Sequence, residues 1–473
     1  ISSVLSPEGD GRDLGTLFFK PNSDIFQKAL GEYYPNGVDA EVDHSASSEG
    51  RGKAEAARVE ARNLLALSYS ERQAVLRGVA DDLVSSIDEI ESANAIDIAR
   101  AESTKLDSQL LKRLKLTREK VQTLAEGIRQ IANAPNSLGV VKSKLEVSEG
   151  LELMETTVPI GVVMIIFESR PDSLPQIASL ALSSGNGLLL KGGREAANSN
   201  ECLHRIIVES VERSTGGRVG KEIIGLVTTR GEISDMLSLD DVIDLVIPRG
   251  GNALVSYIKE NTKIPVLGHA DGVCHVYLDA SADGQKACKI VVDSKTDYPA
   301  ACNAMETLLV HEKCLSNGVA DAVLRSLRGA GVMVMGGPKA MQAGLCDVAA
   351  EKMKEEFGDL RCMVEVVGGV QEAVDHVHKW GSGHTECCVS EDKDVGEEWI
   401  RKIDAACVFH NASTRFADGF RFGLGAEVGI STGKIHARGP VGVEGLLSTK
   451  WILRSEGCDI VAGKSNYTHK KLL

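Results

Sequence analysis

No run of this chain approaches the roughly 18 consecutive apolar residues that a membrane span needs, and its first residues lack the basic-then-apolar pattern of a secretory signal. Membrane-spanning and secreted classes are therefore not expected. Its 11 cysteines show none of the paired spacings of a zinc site, so no metal centre is expected either. With adjacent Cys387 and Cys388 and an odd total there is no disulfide framework, which favours a reducing, intracellular setting, cytoplasm or mitochondrial matrix. Basic residues are in the minority: 53 Lys and Arg against 67 Asp and Glu leave a net charge of −14. That balance argues against a general nucleic-acid binder, so an anionic substrate has to be met by a local cluster of cations.

What is present begins with size. A length of 473 residues exceeds one ordinary core and predicts two or three domains, and 43% hydrophobic with 25% charged residues is a globular composition. Residues 1–50 are rich in Gly, Ser, Asp, Glu and Pro around one apolar burst, Leu17-Phe18-Phe19, and read as an arm or interdomain linker. Helical spacing then takes over. A capping box at Ser70 and Gln73 opens a face of Leu76, Val79, Ala80, Leu83 and Ile87, and a second face runs through Val121, Leu124, Ala125, Ile128 and Ile131. Residues 142–157 are short and extended around Ser148-Glu149-Gly150, which predicts a hairpin.

Apolar strands next alternate with helical segments. Strands are expected at Gly161–Phe167, Gly187–Lys191, Ile223–Val227, Leu245–Ile247 and Pro265–Leu267, with helices starting near Pro171, Glu195, Glu232 and Asn252. A second round opens at His275–Leu278, and a last strand follows near Trp451-Ile452-Leu453. Strand and helix in strict turn require βαβ units, hence an α/β fold with parallel sheets covered on both faces. Such sheets bind ligands at the carboxyl ends of their strands. Two turns sit there, Lys191-Gly192-Gly193-Arg194 and Pro248-Arg249-Gly250-Gly251. Neither matches GxGxxG, yet two glycine turns in one sheet, each with a cation, point to a dinucleotide site.

The candidate nucleophile is Cys302, in Tyr298-Pro299-Ala300-Ala301-Cys302-Asn303-Ala304, a small-residue turn just before the apolar run Met305 to Val310. There a thiolate can face substrate from a rigid support. A lone cysteine among alanines is also an ordinary buried hydrophobe, so its company matters. No histidine stands in a recognisable partner motif, which disfavours a papain-like hydrolase. The densest polar cluster lies later: Asn411 to Phe416, Gly423 to Gly429, and Lys434 to Pro440. It carries Arg415, Arg421, Lys434, His436 and Arg438 and reads either as an anion-receiving loop or as a solvated basic loop.

Taken together these strings resemble γ-glutamyl phosphate reductase, a branch of the aldehyde dehydrogenase superfamily. The resemblance is carried by Val158 to Val163, Phe167 to Asp172, Ser184 to Gly193, the turn at Cys302, and the segments Asn411 to Phe416, Gly423 to Thr432 and His436 to Gly442. It covers residue 55 to the end. The stretch Asp13 to Phe19 is similar to the junction after the kinase part of a bifunctional Δ1-pyrroline-5-carboxylate synthase.

The resemblance implies an aldehyde dehydrogenase-like subunit: 1–50 as tail or linker, 51–273 as an NADP-binding domain, 274–446 as the catalytic domain, and the hairpin 142–157 with 447–473 as an oligomerisation element. It implies reduction of L-glutamate 5-phosphate by NADPH through a Cys302 thioester, in a homo-oligomer fused to or associated with a glutamate 5-kinase. Aldehyde oxidisers carry an asparagine where this chain has Glu168-Ser169-Arg170, so Ser169 or Arg170 becomes the expected catalytic substitute. They also carry a water-activating glutamate in a Glu-Leu-Gly-Gly string, where this chain has Val266-Leu267-Gly268-His269. Cofactor contacts are expected from Glu168, Lys191, Gly192, Gly193, Arg194, Pro248, Arg249, Gly250 and Gly251, with Arg194 suited to a 2′-phosphate. Substrate contacts are expected from Asn303, Arg415, Glu427, Lys434, His436 and Arg438. The alternatives are an aldehyde dehydrogenase for another small aldehyde, or a non-catalytic partner domain of a kinase.

Overall fold

The computed structural model describes residues 44–473 apart from 105, 107, 228–230, 270, 457–460 and 465. The Leu17-Phe18-Phe19 burst and the junction at Asp13 to Phe19 lie outside the described residues. A helix, His44–Leu65, starts inside the stretch read as an arm. The next helix, Tyr69–Ser85, has its capping box two residues earlier than expected: Ser68 Oγ accepts from the Glu71 amide, and the Glu71 carboxylate accepts from the Ser68 amide. Glu71 brings a negative charge to the helix start, whereas Gln73 is used to reach the carbonyl of Ala132 on a neighbouring helix at 2.6 Å. Both predicted apolar faces are buried, and all their residues but Leu124 belong to one core.

Four sheets organise the rest. The hairpin β1 (Val141–Ser148) and β2 (Leu151–Pro159) is followed by β3 (Val162–Phe167), β4 (Gly187–Lys191), β5 (Ile224–Val227) and β6 (Leu245–Arg249), which form a parallel sheet in the order β5-β4-β3-β6. Every side chain of β3 and β4 is buried, as a sheet covered on both faces demands. The expected strand at Pro265–Leu267 is reduced to one bridge between Val266 and Val246. Pro265 has no N–H to donate and Gly268 turns the chain away at φ +154°, so no ladder extends.

The second parallel sheet contains β7 (Cys274–Leu278), β8 (Met305–His311), β9 (Met333–Gly336), β10 (Arg361–Val367), β11 (Thr385–Val389) and β12 (Cys407–His410), in the order β12-β11-β7-β8-β10-β9. A two-stranded piece, β13 (Ile430–Ser431) with β14 (Gly439–Pro440), follows. Finally β15 (Leu447–Ser455) pairs along the whole of β2, and β16 (Lys470–Lys471) closes the other edge of the hairpin. The exposed side chains Trp451 and Leu453 lie on β15, 62% and 56% accessible. No helix among the described residues is long and apolar enough to cross a membrane.

Candidate active site

The two parallel sheets present opposite ends to the site. Glu168, Ser169 and Arg170 follow β3, Lys191 ends β4 and Arg249 ends β6, all at carboxyl ends. Cys302 precedes β8, His384 precedes β11 and Gly272 precedes β7, all at amino ends. The carboxyl-end rule thus holds for the first sheet and inverts for the second, because the short turns entering β7, β8 and β11 converge on one spot.

There Cys302 meets two histidines. One ligating atom each from Cys302, His269 and His384 lies within 4.8 Å of the others. Burial pushes the Cys302 thiol up, and the fields and hydrogen bonds of His384 and His269 more than reverse it, holding Cys302 well below the ordinary thiol value. The effect is mutual: burial lowers His269, but the thiolate beside it leaves that imidazole raised above its ordinary value. His269 Nδ1 contacts the carbonyl of Ile430 at 2.6 Å, which turns the other ring nitrogen away from that backbone. His384 is fully buried; its Nδ1 lies 2.8 Å from Thr385 Oγ1, and among the described residues its Nε2 has no hydrogen-bond partner.

The nucleophile's backbone is gripped closely. A Cβ on Gly272 would fall 2.2 Å from the Cys302 carbonyl oxygen and 2.6 Å from its Cα, so only glycine allows β7 to begin there. Cys274 Sγ donates to the same carbonyl at 3.2 Å. The amide of Cys302 makes no hydrogen bond to the protein among the described residues and stays available to a developing oxyanion. The Gly272 amide donates to Glu356 at 2.9 Å, and burial raises that carboxyl above its ordinary range.

The cations sort into two groups. Burial, then Arg249 and Arg113, pull the Arg170 guanidinium below its ordinary value, so these three arginines sit in one another's field. Arg170 and Arg249 make no side-chain hydrogen bond or ion pair among the described residues, and Arg249 Nε and Arg113 Nε are buried without partners. Arg113 also donates to the carbonyl of Ala300, two residues before Cys302, at 3.2 Å. Gly429, at φ +145°, lets Arg249 through: a Cβ there would lie 2.3 Å from Arg249 Nη1. Beside Arg249 the Glu427 carboxyl is pushed up to about 7, by burial first, with Arg249 opposing and Cys302 assisting.

The other group is already paired within the protein. Arg415 is buried, with Nε on Asp297 at 3.0 Å and Nη1 on Asn303 Oδ1. Asn303 Nδ2 donates to the Ala417 carbonyl at 2.7 Å, so Arg415 and Asn303 together shape the nucleophile turn. Lys434 and Arg438 both pair with Asp404, and His436 Nε2 contacts the Gly445 carbonyl at 2.9 Å. Ser169 Oγ donates to Glu195 at 2.8 Å, and its amide donates to the same oxygen at 2.6 Å. Ser169 holds φ +47°, a strained value for serine that turns the chain between Glu168 and Arg170.

At the cofactor-facing ends, Lys191 is buried with Nζ on the Gly192 carbonyl at 2.9 Å, and Gly193 leads into the short helix at Arg194. Arg194 is exposed. Pro248 and Arg249 close β6, and Gly250 and Gly251 turn into the helix Asn252–Glu260. Glu168, raised by burial, accepts from the Gly251 amide at 3.4 Å and so holds that turn.

Residues 34–328 match the aldehyde dehydrogenase family. The γ-glutamyl phosphate reductase of Synechococcus sp. (strain WH7803) is 45% identical over 406 residues, 85% of this chain and 92% of that protein. The chain belongs to the aldehyde dehydrogenase family, in its γ-glutamyl phosphate reductase branch. The crystal structure of γ-glutamyl phosphate reductase from Thermotoga maritima superposes with a TM-score of 0.82 at 35% identity, covering 86% of this chain and 99% of that one. Δ1-Pyrroline-5-carboxylate synthase 1 of Oryza sativa subsp. japonica is 51% identical over 464 residues. That match takes 98% of this chain and 62% of the plant protein, so the chain spans about three fifths of such a relative's length.

Within that family setting, sequence reasoning missed His269, His384, Gly272, Glu356 and Arg113. A signal existed for His269: it sits in the very string where aldehyde oxidisers carry their glutamate. His384 has none, since a histidine before an apolar strand is commonly a core residue.

Proposed function

We propose that this chain reduces L-glutamate 5-phosphate to L-glutamate 5-semialdehyde, with release of phosphate, through a thioester on Cys302. The observation that carries the reading is the thiolate held between two imidazoles, together with Arg170 and Arg249, whose guanidinium groups make no ion pair among the described residues. Such a site is prepared for an activated, anionic acyl group.

Cys302 Sγ attacks the acyl carbon, a C–S bond forms, and phosphate leaves with the electron pair of the C–O bond. The Cys302 amide steadies the oxyanion in between. The amide alone replaces the asparagine of the oxidisers, with Arg170 supplying charge nearby. We assign Arg170, Arg249 and Arg113 to the phosphate and carboxylate of the substrate, since planar guanidinium matches such anions with two bonds at once. Glu427 is assigned to the substrate's ammonium group. Removing the arginines should be felt in substrate affinity. Arg170→Ala and Arg249→Ala are each expected to lower kcat/KM for the acyl phosphate by about 10²–10³-fold, or roughly 3–4 kcal/mol, while KM for the cofactor changes little. An unchanged KM for acyl phosphate would remove them from the substrate site.

A nicotinamide cofactor follows from the family, and NADPH is the form we propose. The residues fit it: Arg194 is exposed without a side-chain partner among the described residues, and the helix Asn252–Glu260 starts at Gly251 with no side-chain cap and open space where a Cβ would stand. Lys191, Gly192, Gly193 and Arg194 would hold the adenosine end, and Pro248, Gly250 and Gly251 the pyrophosphate. When bound, the reduced nicotinamide supplies the hydride that a thioester accepts more readily than an acyl phosphate. The imidazoles of His269 and His384 favour the anionic sulfur that departs as the C–S bond breaks.

The parallel sheet β5-β4-β3-β6 belongs in this reading to the cofactor domain and the six-stranded sheet to the catalytic domain. The apolar side chains on β15 favour a homo-oligomer built through the β1-β2-β15 element. Association with a kinase is part of the same proposal, for which the chain's span of only about three fifths of the plant relative's length leaves room. The test is NADPH oxidation by the chain in the presence of glutamate, ATP and a separate glutamate 5-kinase. The rate should vanish when the kinase is left out; oxidation that proceeds without it would overturn the substrate assignment.

A further inference from the structure

The triad at the nucleophile has a second chemistry. We infer that Cys302, His269 and His384 bind a zinc-type divalent cation, which blocks the enzyme reversibly by taking the thiolate out of reaction. The inference rests on the reading of Cys302 as a reactive thiolate.

Three observations carry it. One thiolate and two imidazoles supply three ligand atoms within 4.8 Å of one another, so a contraction of about 1 Å reaches the separations of a tetrahedral site with Zn–S near 2.3 Å and Zn–N near 2.0–2.1 Å. His384 is fully buried and among the described residues its Nε2 has no hydrogen-bond partner, a cost that a cation would relieve. The opposite nitrogens are oriented as outer-shell contacts require, His269 Nδ1 on the Ile430 carbonyl and His384 Nδ1 beside Thr385 Oγ1. Such contacts fix each ring with its remaining nitrogen turned inward.

The donor set selects the cation. Soft sulfur and imidazole favour Zn²⁺, Co²⁺ and Cd²⁺ over Mg²⁺ or Ca²⁺, and a three-ligand site keeps its fourth position for water. Binding forms one metal–sulfur and two metal–nitrogen bonds, displaces metal-bound water and whatever protons the ligands hold, and changes no oxidation state. While the metal is bound the sulfur lone pair is shared with it and cannot attack an acyl carbon. The sequence offers no hint of this site, because its ligands come from three separate turns and have no motif spacing.

The test is titration of the full chain with Co²⁺. One equivalent is expected to produce a near-ultraviolet thiolate charge-transfer band and visible bands of tetrahedral intensity. Cys302→Ser should abolish the charge-transfer band, and His269→Ala and His384→Ala should each weaken affinity by at least about ten-fold. Zn²⁺ should displace the colour, slow alkylation of Cys302 by iodoacetamide, and have both effects reversed by EDTA. A chain that gives no thiolate band, or whose Cys302→Ser variant keeps it, overturns the inference. Metal binding at Cys302 in a chain that does not reduce glutamate 5-phosphate would leave the inference standing and sink the proposed function. Reduction without metal binding would do the reverse.

Discussion

Replacing Cys302 with alanine is expected to lower NADPH-dependent reduction by about four orders of magnitude or more, since the whole route passes through one sulfur. The thiol is half-buried on a small-residue turn beside the imidazoles of His269 and His384, and the fold loses little with it. Stability should therefore change by no more than about 0.5–1 kcal/mol, read as a nearly unmoved thermal midpoint. Cofactor binding, followed by quenching of protein fluorescence or by calorimetry, should persist. Substantial activity in a correctly folded Cys302→Ala protein would mean that hydride reaches the acyl phosphate directly, and the thioester would have to be abandoned. Serine at the same position should be nearly as inactive, because the two imidazoles that stabilise a thiolate cannot ionise a hydroxyl of much higher pKa to the same extent.

Glu306→Ala should produce the largest loss of stability. Lys295, in the helix Gly284–Thr296, and Glu306, second residue of β8, form an ion pair of 2.6 Å with both side chains fully buried. These residues bracket the turn that carries Cys302, so the pair ties its two ends together. Removing the carboxylate leaves an ammonium group in an apolar interior and is expected to cost about 3–5 kcal/mol, with a fall in kcat as the turn loosens. Lys295→Met should cost less. Burial already pushes the Glu306 carboxyl up to about 7, with Lys295 and the Gly358 amide opposing, so without the lysine it takes up a proton instead of remaining an uncompensated charge. The sign follows from linkage: a carboxyl raised in the folded state above its unfolded value of about 4.3 favours folding at low pH, and that contribution is lost as pH rises through the folded value. Lys295→Met should accordingly lose stability from pH 5 to pH 8 more steeply than wild type, by denaturant unfolding at each pH. Equal costs for the two substitutions, with no pH dependence, would contradict the account.

The alternation of apolar strands and helical segments made the α/β fold legible, because a strand buried on both faces leaves a run such as Val162 to Phe167 that little else imitates. Pro265–Leu267 misled for the opposite reason: three apolar residues look alike whether they extend a sheet or merely pass beside it. At the site, Cys302 was legible from its turn, but its partners were not. Pairings such as Arg415 with Asp297, or Lys434 and Arg438 with Asp404, join segments far apart in the chain and have no local signature. A cluster of cations therefore reads as an anion site whether or not the protein has already neutralised it. Arg170 and Arg249 were visible as cations, and what sets them apart from the loop arginines is that, among the described residues, no carboxylate forms an ion pair with them, a property of the fold.

The most direct measurement runs the reaction backward. With glutamate 5-semialdehyde and NADP⁺ but no phosphate, the chain should release a burst of one NADPH per active site and stop, with the glutamyl group on Cys302 visible as an intact-mass adduct. Arsenate or phosphate should then restart turnover. Continuous NADPH formation without either acceptor, or a burst with no adduct on Cys302, would contradict the thioester at the centre of this account.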